Sequence, residues 1–384
     1  MPETPFAVAA SSALSLRRIA AWRGIRALAW DGEVLYGCRG YEIVRISVLA
    51  QTGEGAAWEP VARFRPAWWR NLTSRSALTY RLVRDGFHAL AIVGGKNDST
   101  MVGAVPGAIV TRTPGSDEFH VTHRIQRGTR PLHVTAVPSG TIYWGEYFDN
   151  RERAEVHIYA STDYGRTWQV ACTFPAGSIR HIHNIVYDHW GDCLWILTGD
   201  EGAECKVLRA SCDLLSVGLP VELSVERAVE VVLSGNQQAR AVAAVPTQNG
   251  LFLSTDTPFE KNHVYRLDYR SDGTGNVQRV GDLASSSIYG CRVGKALFFS
   301  TMIEPSAVNT VRDVHIVGSR VGSNDGTNWQ VLARWKKDSL PMRYFQYGNA
   351  FLPDGENTTP YLAATTVAVE TDDLVTTLWE VESA

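Results

Sequence analysis

A unit of four short β-rich runs recurs about every fifty residues along this chain, and it limits the fold more than any other feature. One copy reads RPLHVTAVPSG, TIYWGEY, EVHIYASTD and TWQVACTFP. RHIHNIVYDHWGD, CLWILTGDE and KVLRASCD repeat the order with a weaker fourth run. QARAVAAVPTQNG, LFLSTDTP, HVYRLDYRSDG and NVQRVGDL follow, then IYGCRVG, KALFFSTMIE, DVHIVGSRVGSNDG and NWQVLARW. Upstream, IRALAWDG, EVLYGCRG, YEIVRIS and WEPVARF form one unit, and SALTYRLVRDG, FHALAIVGG, AIVTRTPGSD and FHVTHRI another. Gly, Asp, Asn and Pro clusters separate the runs, and almost no segment keeps a helical period.

These six units leave a C-terminal stretch of only three strands: YFQYGNAFLPDG, PYLAATTVAVE and DLVTTLWEVE. The missing strand is expected from the N-terminus, where LSLRRIAAW at about 14–22 reads like the fourth strand of the other units. A ring sealed by its two chain ends leaves no open sheet edge. The expected architecture is all-β: a seven-bladed β-propeller of four-stranded antiparallel blades, closed by the N-terminal strand, forming one domain over residues 1–384.

The segment Ser161-Thr162-Asp163-Tyr164-Gly165-Arg166-Thr167-Trp168 matches the turn pattern S-x-D-x-G-x-T-W. Asp and Ser side chains satisfy turn amides there, Gly takes positive φ and Trp packs beneath. Ser323 to Trp329 is a shortened copy, and Ser211-Cys212-Asp213 a remnant. In these residues the chain resembles the sialidase-like Asp-box (BNR-repeat) β-propeller superfamily. The resemblance implies the fold and leaves the chemistry open. The F/Y-R-I-P start of sialidases is absent and their ring has six blades, so their site residues are not carried over. Seven-bladed polysaccharide and oligosaccharide lyases, with related glycoside hydrolases, are a nearer architectural analogy.

In a propeller the starts of first strands and the ends of second strands meet on one face around the axis. First-strand starts here hold Arg26, Tyr80, Arg130 with His133, Arg180 with His181 and His183, Gln238 with Arg240, Tyr289, and Arg343 with Tyr344. Second-strand ends hold Arg39, Lys96 with Asp98, Glu146 with Tyr147, Asp200 with Glu201, Asp256 and Glu304. The spacing R-x-x-H occurs twice, at Arg130/His133 and Arg180/His183. His157 and His315 fall on third strands, away from the axis. The loop Trp144 to Arg153 combines aromatic, acidic and basic residues, which suits either a sugar ring or a salt-bridged cover over the next blade.

Three chemistries fit such a face. Glycoside hydrolysis needs two carboxylates, from among Glu146, Asp200, Glu201, Asp256 and Glu304. Elimination from a uronate needs a base, His183 or His133, and a carboxylate clamp, Arg180 or Arg240. A divalent metal on His133, His181 and His183 is the third, although no cofactor is required by the first two. The expected catalytic set is His133, His183, Arg180, Arg240, Glu146, Tyr147 and Asp200. Substrate binding is expected of Arg130, His181, Gln238, Tyr289, Asp256, Glu304 and Arg343. The expected function is cleavage of a glycosidic bond in an acidic oligo- or polysaccharide, as lyase or hydrolase, with a non-catalytic glycan- or protein-binding propeller as the alternative.

Formal net charge −3 and pI near 6.4 give no reason to expect nucleic acid or an anionic membrane as partner. No run approaches the roughly 18 apolar residues that span a bilayer. Met1 to Leu16 lacks the features of a secretory signal, and the six cysteines show no metal-type spacing, so free thiols in the cytoplasm are expected.

Overall fold

The computed structural model describes residues 14–49, 57–74, 76–94, 98–214, 229–268, 276–321 and 326–383. Strands group into five four-stranded sheets and one nine-stranded sheet. Four of the four-stranded sheets are antiparallel meanders in chain order. One runs Ile182–Asp188, Cys193–Thr198, Lys206–Ser211 and Val229–Ser234. The nine-stranded sheet holds two such meanders, one from Arg26–Gly32 to Glu59–Phe64 and one from Ala89–Val93 to Glu118–Arg124. Their fourth strands meet in a short parallel pairing, Arg63 opposite Glu118. Its ninth strand, Asp354–Asn357, leaves the last sheet to lie parallel to Arg26–Gly32.

First strands of successive sheets touch one another all the way round: Arg26–Gly32, Ala89–Val93, Thr135–Ala136, Ile182–Asp188, Ala241–Thr247, Ser287–Val293, then Asp354–Asn357 back against the start. The N-terminal strand Leu14–Arg23 pairs antiparallel with the final strand Val375–Ser383, as the incomplete last unit predicts. Second strands such as Cys193–Thr198, Gly250–Thr255 and Ala296–Thr301 are buried along their whole length, which explains their largely apolar character. Fourth strands such as Val229–Ser234 are largely exposed. The core fills the gaps between sheets: Tyr143, Ile158 and Cys172 of one pack against Ile185, Leu194 and Ile196 of the next.

The turn Ser161–Trp168 has the expected hydrogen bonds. Asp163 accepts from the Arg166 and Thr167 amides at 3.0 and 2.9 Å and from the Thr167 hydroxyl at 2.6 Å. Gly165 sits at φ +78°, and a Cβ there would lie 2.5 Å from Val102 Cγ2 in the preceding sheet. Trp168 Nε1 donates to Thr122 Oγ1 of that sheet. The shortened copy is described only from Gly326 on, and its first three residues lie outside the described residues.

One unit differs from the sequence reading. Ala77–Val83, within SALTYRLVRDG, is a helix, following a shorter helix at Trp68–Thr73. FHALAIVGG supplies the first strand of that sheet, and the unassigned Thr100–Val105 supplies the second. The helical insert is bolted to the far end of the chain by the buried Arg81, which donates to Asp338 at 2.6 Å and to the Phe345 carbonyl at 2.9 Å. None of the six cysteines is in a disulfide. Among the described residues, no helix is long and apolar enough to cross a membrane.

Asp163→Ala strands four turn donors, the Ser161 hydroxyl included, and should lower unfolding free energy by about 1–3 kcal/mol, as read by urea denaturation, with the fold retained.

Candidate functional site

Residues at the same end of successive first strands converge. His88 precedes Ala89–Val93, His133 precedes Thr135–Ala136, His181 precedes Ile182–Asp188, Arg240 precedes Ala241–Thr247 and Ser286 precedes Ser287–Val293. Second strands return to this end, so Glu146, Asp200, Asp256 and Glu304 follow their last residues.

Asp200 is the hub of one half. Its Oδ2 lies 3.0 Å from Arg180 Nη1 and 3.5 Å from His181 Nε2. Its Oδ1 lies 3.2 Å from His183 Nε2 and 3.3 Å from Arg240 Nη2. Arg240 and Gln237 also donate to the Asp200 carbonyl. A sharp turn places this carboxylate: Gly199 is at φ +88°, and a Cβ there would stand 1.9 Å from the Glu204 carbonyl oxygen. Burial opposes ionisation of Asp200, but hydrogen bonds from His181 and His183 outweigh it and hold the carboxyl well below its usual range. Burial, aided by the His181 ring, holds His183 below the usual histidine range against the pull of Asp200.

Backbone contacts fix both imidazoles. His183 Nδ1 stands 2.9 Å from the Ala241 carbonyl and His181 Nδ1 3.0 Å from the Phe148 carbonyl. A carbonyl only accepts, so each Nδ1 carries a hydrogen; a neutral ring then presents a bare Nε2, and a protonated one donates from Nε2 to Asp200. The two Nε2 atoms face each other at 3.1 Å beside Asp200. Among the described residues, this trio alone gathers three metal-type donor atoms within 4.8 Å of one another. The Tyr147 ring packs over His181 at 4.3 Å, and burial pushes its hydroxyl up to about 12.

Asp256 is buried one sheet further on. Its Oδ2 is 3.8 Å from Arg240 Nη2, while its Oδ1 is buried without a hydrogen-bond partner. Burial, opposed by Arg240 and reinforced by Glu304 and Asp200, raises its carboxyl to about 7. The Ser286 hydroxyl donates to Glu304 Oε2 at 3.4 Å and adjoins Asp256.

The other half is basic. Arg26 Nη2 donates to the His88 carbonyl at 3.2 Å, its guanidinium stacks 3.8 Å over Phe351, and its Nε is buried without a partner, like His88 Nε2. Arg130 donates to the Arg84 carbonyl, and burial together with Arg26 pushes it down to about 10. Burial, Arg130 and Arg26 hold His88 well below the usual histidine range. His133 pairs with Asp354 at 3.0 Å and lies edge-on to Tyr289. It is therefore not part of the donor group at His181 and His183.

Several expected residues lie elsewhere. Glu146 is engaged by Arg127 and the His157 amide. Gln238 is exposed, and its neighbour Gln237 reaches Asp200 instead. Arg343 is exposed on the short helix Met342–Phe345, over the Tyr344 ring. Tyr80 is on the inserted helix yet neighbours Arg26. Arg39 and Glu201 are exposed, Asp98 pairs with Arg112, and Lys96 lies outside the described residues. In the loop from Trp144 to Arg153, Arg153 pairs with Glu204 of the next sheet at 2.5 Å, as the salt-bridged cover predicts, and Tyr147 packs against His181. His88, Gln237, Ser286 and Asp354 were not foreseen. His88 was hidden by the misplaced first strand, although it occupies the place that His133 and His181 hold in later units.

No protein-family profile and no curated protein matches this chain. Solved structures with similar folds include the Myceliophteria thermophila Cps50 (Swd1) β-propeller domain, at 10% identity and TM-score 0.55 over 96% of this chain and 100% of that one. A chain of the mitotic checkpoint complex aligns at 9% identity and TM-score 0.54 over 99% of both. An ancestral GH74 enzyme aligns at 11% identity and TM-score 0.52 over 96% of this chain and 47% of that one. At these identities the likeness shows a β-propeller fold.

Asp256→Asn separates the cost of this buried carboxyl from the rest of the protein. Between the ordinary aspartate pKa of roughly 3.9 and about 7, the unfolded chain has lost this proton and the folded chain keeps it. That group's contribution therefore falls as pH rises through the window, by up to about 1.4 kcal/mol per unit. Relative to the parent, the variant should gain stability from pH 5 to pH 8 in paired denaturation curves.

Proposed function

We propose that this chain is a single-domain, seven-bladed propeller that hydrolyses a glycosidic bond in an acidic oligo- or polysaccharide at this face. The blade count follows from reading the nine-stranded sheet as two four-stranded blades beside the five separate sheets. The observation that carries the chemistry is the pair Asp256 and Glu304. One carboxyl is kept protonated near neutrality with a free oxygen, a second accepts from an adjoining serine hydroxyl, and Arg240, Asp200 and Tyr147 surround them. Glycosidases divide two carboxyls into a proton donor and an ionised partner through such a difference of environment. Asp256 is the general acid in this reading, and Glu304 the base or nucleophile.

Arg26, Arg130, His88 and His133, with Asp354 as their carboxylate neighbour, favour an anionic substrate. Tyr147 offers a ring for a sugar face. One structural neighbour is itself an enzyme.

Incubation with a panel of acidic oligosaccharides should release new reducing ends without the absorbance of an unsaturated uronate. Asp256→Asn should reduce the rate by about 10²–10⁴-fold, and the parent rate should fall above pH about 7, where the acid loses its proton. An unsaturated product would replace hydrolysis with elimination. Glycan binding without cleavage would leave a non-catalytic propeller.

A further inference from the structure

We infer that His181, His183 and Asp200 form a binding site for one divalent transition-metal ion of the zinc type. With both rings neutral, three acceptor atoms converge here. Backbone carbonyls hold both Nδ1–H groups, so each neutral ring turns a lone pair toward the other across 3.1 Å, and Asp200 adds a carboxylate. In a dry interior such a triad is repulsive unless a cation or proton sits at its centre.

The dimensions select the metal. Bonds of about 2.0–2.1 Å at tetrahedral angles set neighbouring ligand atoms about 3.3 Å apart. The two Nε2 atoms here stand 3.1 Å apart, and Asp200 reaches His183 through Oδ1 at 3.2 Å and His181 through Oδ2 at 3.5 Å. Imidazole with one carboxylate suits zinc, cobalt or nickel better than calcium or magnesium. The outer contacts are those a metal site uses: each ligating imidazole anchored through its other nitrogen, and the carboxylate oriented by a donor, here Arg180 Nη1 at 3.0 Å. Arg180 and Arg240 oppose a cation electrostatically, but the Arg180 guanidinium is shared with a second carboxylate, Asp149, at 2.6 Å. Three protein ligands leave a fourth position for water or a substrate oxygen.

The test uses the full chain, stripped by chelator and titrated first with Zn²⁺ by calorimetry, then with Co²⁺ by visible absorption. The expected result is one equivalent bound, with the visible bands of tetrahedral cobalt. His181→Ala and His183→Ala should each weaken binding at least about 100-fold, while His157→Ala on a third strand leaves it unchanged. Absence of stoichiometric Zn²⁺ and of cobalt bands in the parent protein overturns the site, and leaves a shared proton between the rings. Equal affinity in the alanine variants also overturns it. Should those variants not fold, the parent's cobalt spectrum decides alone. The readout needs no substrate, so the hydrolytic reading can fail while the metal site stands, and the reverse.

Discussion

The geometry of the whole face depends on one antiparallel pairing, Leu14–Arg23 against Val375–Ser383. Without it, the ring would carry an open edge of unpaired amides and carbonyls. The pairing joins residues more than 350 positions apart, yet closure entropy grows only logarithmically with that separation. The seam is secured in depth as well as at its rim. Thr376 Oγ1 donates to the Ile25 carbonyl, the Ala27 amide donates to Thr365 Oγ1, and Gln330 reaches the Leu14 carbonyl. The strand Asp354–Asn357 crosses to the first sheet and brings Asp354 to His133. Closure and site assembly are thus the same event for that residue.

Once the ring is closed, charges at its mouth have little water to call on. A buried carboxylate is costly unless ionic and hydrogen-bonding partners surround it. Asp200 meets that condition with two arginines and two histidines, each drawn from the first-strand end of its own sheet or the next. Such a network is stiff, because moving any member leaves another unpaired. The basic half has fewer counter-charges, and its unpartnered donors, Arg26 Nε and His88 Nε2, are buried. That asymmetry suits a molecule that brings its own negative charge.

The repeat was legible because second strands, buried along their length, are apolar but for small hydroxyl residues at one end, as in CLWILT and ALFFST. The closing strand was legible because one unit came up short. The helix Ala77–Val83 was not, since Ala-Leu-Thr-Tyr-Arg-Leu-Val alternates as plausibly as a strand does and its helical form rests on tertiary contacts such as Arg81 with Asp338. That error moved the first strand of one sheet and concealed His88. His181, His183, Asp200 and Arg240 could be placed on one face from strand order alone. The facing Nε2 atoms could not be found this way, because they depend on carbonyls 33 and 58 residues away.

The second-strand ends show how a repeated scaffold yields unlike chemistry. Glu146, Asp200, Asp256 and Glu304 follow the second strands of four successive sheets, and each meets a different neighbour from the sheets beside it. Arg127 and a backbone amide occupy Glu146, which fits it for holding the loop. Arg180, Arg240, His181 and His183 surround Asp200, and it stays ionised. Asp256 has one shared arginine and a neighbouring acid, so burial prevails and it keeps its proton to about 7. Glu304 is half-buried and reached by a serine. Position in the repeat brings a carboxyl to the channel, but its ionisation follows from what the adjoining sheet presents. A protonated Asp256 one sheet from an ionised Asp200 arises here from neighbours, without any departure from the repeat.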